Sequence, residues 1–233
     1  MAPVSILDCG KTIMNPILQI KDLSSPLQRE GVPLLNSVSF TLQSGDRLVL
    51  TGPSGSGKSL LLRTLTYLDP IASGDIFFMG SPVTAERVPY FRSQVIYLGQ
   101  KPCLSEGTVE DNLKKVFEFK VHRNKKYERD RVLELLRSFH FGPSFLSQPA
   151  KLLSGGESQV VALIRAIILD PVILLLDEPT ASLDSAKNDV FENLVVSWIK
   201  AASNRSFIWI THQKEQEQRV GNRWISLMKG LLN

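Results

Sequence analysis

The chain has 233 residues and a mildly basic balance, 27 Lys and Arg against 23 Asp and Glu, which a solvated surface carries without calling for nucleic acid. With 43% hydrophobic and 21% charged residues it has the composition of one globular domain with a sizeable core, which excludes disordered and fibrous classes. Cys9 and Cys103 form no C-x-x-C pair, which argues against a disulfide framework and a zinc or iron–sulfur site and fits a reducing compartment.

Residues 1–15 lack a basic stretch followed by a continuous apolar run, so no signal peptide is expected there. Residues 17–20 and 36–42 read as short strands, separated by a connection rich in Pro, Ser and Gly. The turn Ser44-Gly-Asp46 leads into a third strand, residues 47–51. That strand runs into Gly52, Pro53, Ser54, Gly55, Ser56, Gly57, Lys58 and Ser59, and then into an apolar stretch from Leu60 to Leu68 that reads as a helix.

Strand, glycine loop and helix in that order make a phosphate-binding loop. Glycines let the backbone turn its N–H groups toward phosphate oxygens, and the helix adds the positive end of its dipole. Lys58 supplies a mobile charge for the β- and γ-phosphates, and Ser59 a hydroxyl for Mg²⁺. The loop string occurs once, so no tandem repeat is expected.

Asp69-Pro70 is expected to stop the helix near Leu68, and residues 74–79 return as a strand. Residues 95–98 form another strand, ending at Gly99-Gln100, where ligands of open α/β sheets gather. Residues 102–153 change character to helical segments, the clearest at 128–139, and are expected to form a helical subdomain inserted in the single domain of residues 1–233. Within it, residues 120–131 hold six Lys and Arg against Glu128 and Asp130, a solvated helix end or a contact for phospholipid or an acidic partner.

Alternation then resumes with a helix at 156–169, a buried strand at 172–176, a helix at 185–202 and strands at 206–211 and 223–228, the pattern of a parallel sheet with helices on both faces. The most apolar region, 160–176, is broken by Arg165, Asp170 and Pro171, too early for a membrane span. Membrane work would need another chain.

Asp177-Glu178 closes the apolar strand. Two carboxylates at a buried strand end are costly to desolvate, so a metal ion or reacting group nearby is expected. Asp177 would hold Mg²⁺ opposite Ser59, and Glu178 would polarise the attacking water as general base. Ser154 is a good N-cap, and Gly155, Gly156 and Glu157 after it make a second helix start suited to phosphate or an ordinary capping turn.

The phosphate loop, Gln100, residues 153–157, Asp177-Glu178, Ser182-Leu-Asp184 and His212 occur in the order and at about the spacing of the nucleotide-binding subunits of ABC transporters. The chain resembles that family from residue 17 to 227 and looks like its compact stand-alone bacterial subunits, such as the iron-export group, so the extra C-terminal regulatory domain of sugar-importer relatives is not expected. The resemblance implies an α/β fold with a RecA-like P-loop NTPase core, an antiparallel β subdomain and the helical subdomain. It implies Mg²⁺-dependent ATP hydrolysis by a protein peripheral on the cytoplasmic face of the cell membrane, bound to an integral-membrane transporter subunit, with no nucleic acid partner.

It further implies a sandwich dimer in which Ser154, Gly155 and Gly156 of one protomer close on the γ-phosphate held by Lys58 of the other, with Asp184 across the interface. By the same resemblance Gln100 senses Mg²⁺ and water and couples to the membrane partner, and His212 holds the γ-phosphate. The sequence departs from the family where an aromatic residue stacks on adenine, since residues 23–27 contain none, and Leu60 stands where a hydroxyl often reaches the α-phosphate. Ser158 and Val160 replace residues that are usually basic. Stacking is worth about 1–3 kcal/mol on nucleic-acid proteins, so weaker nucleotide binding or loose base preference is expected, with hydrolysis intact. The alternative function is a soluble ABC-type clamp or scaffold, against which stand the lack of tandem domains, zinc-binding cysteines and a coiled-coil insertion.

Overall fold

The computed structural model describes residues 16–232; residues 1–15, with Cys9 and the stretch read for a signal peptide, lie outside the described residues. The chain opens with β1 (Leu18–Ser24), the small pair β2 (Gln28–Arg29) and β3 (Val32–Pro33), β4 (Val38–Leu42), β5 (Arg47–Thr51) and α1 (Lys58–Leu65). It continues through β6 (Ser73–Phe78), β7 (Ser81–Pro82), α2 (Val88–Gln94), β8 (Val95–Leu98), α3 (Val109–Lys114) and α4 (Arg129–Ser138). The last part holds α5 (Gly155–Ile167), β9 (Ile173–Asp177), α6 (Ser185–Lys200), β10 (Ser206–Ile210), α7 (Lys214–Val220), β11 (Arg223–Met228) and β12 (Leu231–Leu232).

The central sheet runs β12-β11-β5-β10-β9-β8, and only β12 is antiparallel to its neighbour. Parallel strands joined by helical crossovers are covered on both faces, which is why β9 and β10 are apolar at successive positions rather than alternately. Leu174, Leu176, Phe207 and Trp209 point into one core with α4, α5 and α6, while Ile173, Leu175, Ile208 and Ile210 point into the other with α1. Each such fully buried large side chain contributes about 1.5–3 kcal/mol. The second core also takes Leu18, Ile20 and Leu23 from the antiparallel sheet β4-β1-β6-β7. Both layers of the expected α/β architecture are therefore present, and α1 is held between them.

Residues 102–153 contain α3, α4 and 3-10 turns, tied together by an isolated bridge between Thr108 and Pro149. α4 buries Val132, Leu133 and Leu136 against the first core. In the basic stretch, Lys125 donates to the Leu169 carbonyl and Arg129 pairs with Glu110 at 3.2 Å, so part of that charge is used internally.

α1 stops at Leu65, three residues before the sequence reading ends it. Tyr67 takes a left-handed backbone (φ 55°), the Leu68 N–H donates to the Arg63 carbonyl at 3.0 Å and the Tyr67 N–H to that of Thr64 at 3.0 Å. This glycine-type cap, built on a tyrosine, closes the helix before Asp69-Pro70 is reached. Asp69 instead pairs with Arg63 at 2.7 Å.

Candidate functional site

Because β8, β9, β10 and β5 are parallel, their C-terminal ends share one edge of the sheet, and the loops leaving that edge carry Gln100, Asp177-Glu178, His212 and the phosphate loop. Gly52 starts the loop at φ 137°, and a Cβ there would lie 2.2 Å from the Leu227 carbonyl oxygen, so only glycine lets the chain turn beside β11. α1 is preceded by Gly57 at its N-cap, and among the described residues no side chain caps it, so the N–H groups of its first turn are left open. Ser56 Oγ is buried and has no hydrogen-bond partner among the described residues. A loop that keeps this many donors unsatisfied is suited to an anion with several oxygens.

Lys58 lies 6% exposed at the centre of the loop. Its ammonium donates to the carbonyls of Gly52 at 2.8 Å and Pro53 at 3.0 Å. Burial lowers its pKa, and the charges of Glu178 and Asp177 oppose that shift. Ser59 follows on α1 and donates its hydroxyl to Asp177 Oδ1 at 3.0 Å.

The other oxygen of Asp177 accepts from the Tyr97 hydroxyl at 2.9 Å. Sequence reasoning passes over Tyr97. The parallel register sets it beside Leu175, on the same face as Asp177 two residues on. A lone phenol in an otherwise aliphatic strand end is the signal that could have found it. Burial first, and then the Asp177 charge, push its pKa up, so it stays a donor at any physiological pH.

Glu178 lies beyond β9 in a left-handed backbone (φ 47°), with its N–H donating to the Ile210 carbonyl at 3.0 Å. Such a conformation costs a non-glycine residue about 1–3 kcal/mol. It turns the carboxylate off the strand and between two partners. Gln100 Nε2 donates to Oε2 at 3.0 Å, and His212 Nε2 lies 2.9 Å from Oε1. Two residues past Glu178, Thr180 Oγ1 accepts from Gln216 Nε2 on α7 at 2.9 Å, Gln216 Nε2 also donates to Glu192 Oε1 at 2.8 Å, and Arg219 pairs with Glu192 at 2.9 Å. This bridge, buried at Gln216, joins the loop after β9 to α7 and α6.

The structure thus gathers Lys58, Ser59, Asp177, Glu178, Gln100 and His212 on one rim. Ser154, Gly155, Gly156, Glu157 and Asp184 stand apart from it as a second group. Ser154 Oγ accepts from the Glu157 N–H at 3.2 Å while Glu157 Oε2 accepts from the Ser154 N–H at 2.8 Å, a reciprocal cap on α5. Gly156 rests on the segment before α6: a Cβ there would lie 2.8 Å from the Ser182 carbonyl oxygen. Asp184 caps α6 through the Lys187 N–H at 2.8 Å, and that bond lowers its pKa. Leu60 is half-buried against the second core, so its position serves packing.

Among the described residues no three His, Cys, Asp or Glu side chains converge to hold a metal ion. The donor pair Ser59 and Asp177 is of the kind that could hold Mg²⁺, which binds through one or two protein oxygens plus phosphate and water. Beside Gly99 and Lys101 opens a groove of about 800 Å³, with apolar walls that include Val116, Phe119 and Ala166, and with Arg92, Lys101 and Lys120 at its polar positions. No helix of the described residues is long and apolar enough to cross a membrane.

The family model described as ABC transporter matches residues 35–181. The chain is 33% identical over 202 residues to the probable iron export ATP-binding protein FetA of Escherichia coli, covering 87% of each chain. Its fold matches a solved ATP binding subunit of an ABC transporter with a TM-score of 0.82 and 25% identity, over 93% of this chain and 88% of that one. A dimeric ATP-binding cassette in a post-hydrolysis state bound to ADP and Pi matches with a TM-score of 0.80 and 24% identity, over 93% of this chain and 96% of that one.

Proposed function

This chain belongs to the ABC transporter family, as an ATP-binding subunit, and from that premise we propose how its residues run the reaction. The protein binds ATP, hydrolyses it to ADP and phosphate, and powers substrate movement through a separate membrane subunit. The observation that carries the assignment of roles is the rim itself, where Lys58, Ser59, Asp177, Glu178, Gln100 and His212 meet at the ends of four neighbouring strands.

The N–H groups between Gly55 and Ser59 and the Lys58 ammonium hold the β- and γ-phosphates, Lys58 exchanging its two loop carbonyls for phosphate oxygens. Ser59 and, directly or through water, Asp177 and Gln100 would hold Mg²⁺, which would supply charge to those oxygens. Tyr97 fixes the Asp177 carboxylate from the far side. Glu178 takes the proton of the attacking water, Gln100 orients that carboxylate, and His212 holds the γ-phosphate.

The start of α5 carries glycine N–H groups but no cation of its own, which supports its use on the γ-phosphate bound by a second copy, with Asp184 across that interface. The groove beside Gln100 supports docking of the integral-membrane subunit. Its lining has Arg and Lys and no Asp or Glu, so the segment it receives is apolar with acidic residues. Residues 102–153 are the helical subdomain that presents the groove, and the protein works on the cytoplasmic face of the membrane.

Two copies per working site make a direct test. Steady-state hydrolysis of Mg-ATP should rise with the square of protein concentration in dilute samples, and EDTA should abolish it. A strictly linear rise from the lowest concentrations would remove the second copy, and turnover that survives EDTA would remove the metal.

A further inference from the structure

We infer that Arg29 is a nucleotide-contact residue whose guanidinium binds the phosphates from the outer side of the phosphate loop, an inference that rests on reading Gly52–Ser59 as their cradle. The hairpin of β2 and β3 pairs Gln28 with Pro33 and Arg29 with Val32. Its two turn residues, Glu30 and Gly31, both have left-handed backbones (φ 53° and 79°), the geometry of a tight two-residue hairpin that fixes where its strands point. The base is pinned as well, by the Leu34 N–H on the Leu27 carbonyl at 2.9 Å and the Asn36 N–H on the Gly230 carbonyl at 2.9 Å.

This hairpin leans on the phosphate loop at two points. A Cβ built on Gly57 would lie 2.8 Å from the Leu34 carbonyl oxygen, and one built on Gly55 would lie 3.3 Å from Arg29 Nη1. The guanidinium is therefore at contact distance from the exposed tip of the loop. It forms none of the salt bridges and side-chain hydrogen bonds found among the described residues, as is true also of Arg47, Arg92, Arg123, Arg131 and Arg137, and its distinction is its place against Gly55.

A guanidinium carries five donors in a planar fork that matches phosphate oxygens and stays charged at any working pH. Placed here it makes good two contacts the sequence lacks, the aromatic residue absent from 23–27 and the hydroxyl replaced by Leu60. Leu27 and Val32, exposed on the same hairpin, offer the ligand apolar cover but no charge.

The test is equilibrium binding of Mg-ATP, Mg-GTP and inorganic Mg-tripolyphosphate to the full chain, at low and high salt, for the wild type, Arg29→Ala, Arg29→Gln, Arg29→Lys and Lys58→Ala. Arg29→Ala and Arg29→Gln should weaken all three ligands by about tenfold, with a shallower salt dependence, and Arg29→Lys should recover part of the loss. Binding within about twofold of wild type in Arg29→Ala and Arg29→Gln, while Lys58→Ala is weakened by about 10- to 100-fold, overturns this inference and leaves the phosphate loop standing. Binding unchanged in Lys58→Ala as well overturns both. A loss confined to ATP and GTP, with tripolyphosphate unaffected, would put the guanidinium on the base or ribose and equally overturn the phosphate contact.

Discussion

Two helices of this protein begin at glycine turns, and they begin differently. α1 starts at Gly57 with no capping side chain, whereas α5 starts at Ser154 with a reciprocal cap from Glu157 that already satisfies two N–H groups. The open start is surrounded by Lys58, Ser59 and Asp177; the capped one rests on Ser182 and has no charged partner beyond its own Glu157. Its Gly155 and Gly156 N–H groups lack intrahelical acceptors by position alone. One turn is unfinished without a ligand, and the other keeps a fixed shape to present. Similar glycine content thus serves opposite ends, and the deciding feature is whether a side chain has already taken the helix's first donors.

Substitutions can break or sharpen that contrast. The largest effect should come from Glu178→Gln, which keeps the shape of the rim but removes the base: turnover should fall by about 10²–10⁴-fold with Mg-ATP binding retained. Unaltered turnover would take the proton-accepting role from Glu178. Gly156→Ala should reduce turnover by about a hundredfold while leaving nucleotide binding to the isolated protein intact. Alanine ordinarily improves a helix; here its Cβ meets the Ser182 carbonyl oxygen at 2.8 Å and displaces the turn. A gain in both stability and turnover would show that the turn's position is unimportant.

Lys58→Ala should weaken Mg-ATP binding by about 10- to 100-fold, as loss of a charged hydrogen-bonding group does, and titration calorimetry reads it directly. Ser154→Ala should be the mildest, lowering stability by about 1 kcal/mol in denaturant titration because α5 loses its cap. No change in stability with a fall in turnover would mean that the Ser154 hydroxyl is spent on phosphate rather than on the helix.

The phosphate loop, Asp177-Glu178 and the start of α5 were legible because each is local: a glycine spacing, a strand end, a cap box. Tyr97 was not, since its hydroxyl meets Asp177 across 80 positions of sequence and only strand register brings them together. The early stop of α1 was hidden for another reason. Its cap uses Tyr67 in a conformation that sequence assigns to Gly or Asn, so the breaker visible in the sequence is Asp69-Pro70. Arg29 escaped because charge on a two-residue hairpin reads as solvated surface until the hairpin is seen against the loop. The order of strands in the sheet, with β5 between β10 and β11, has no local signal at all, although the alternation of helices and strands made its parallel character plain.

The bridge from Thr180 through Gln216 to Glu192 and Arg219 ties the loop that carries Glu178 to α7, whose start lies two residues past His212. A loop and a helix tied in this way cannot drift separately, so the carboxylate of Glu178 and the imidazole of His212 should advance and withdraw as one jaw. Whatever tugs α7 or α6 would then be felt at both chemical groups in the same instant.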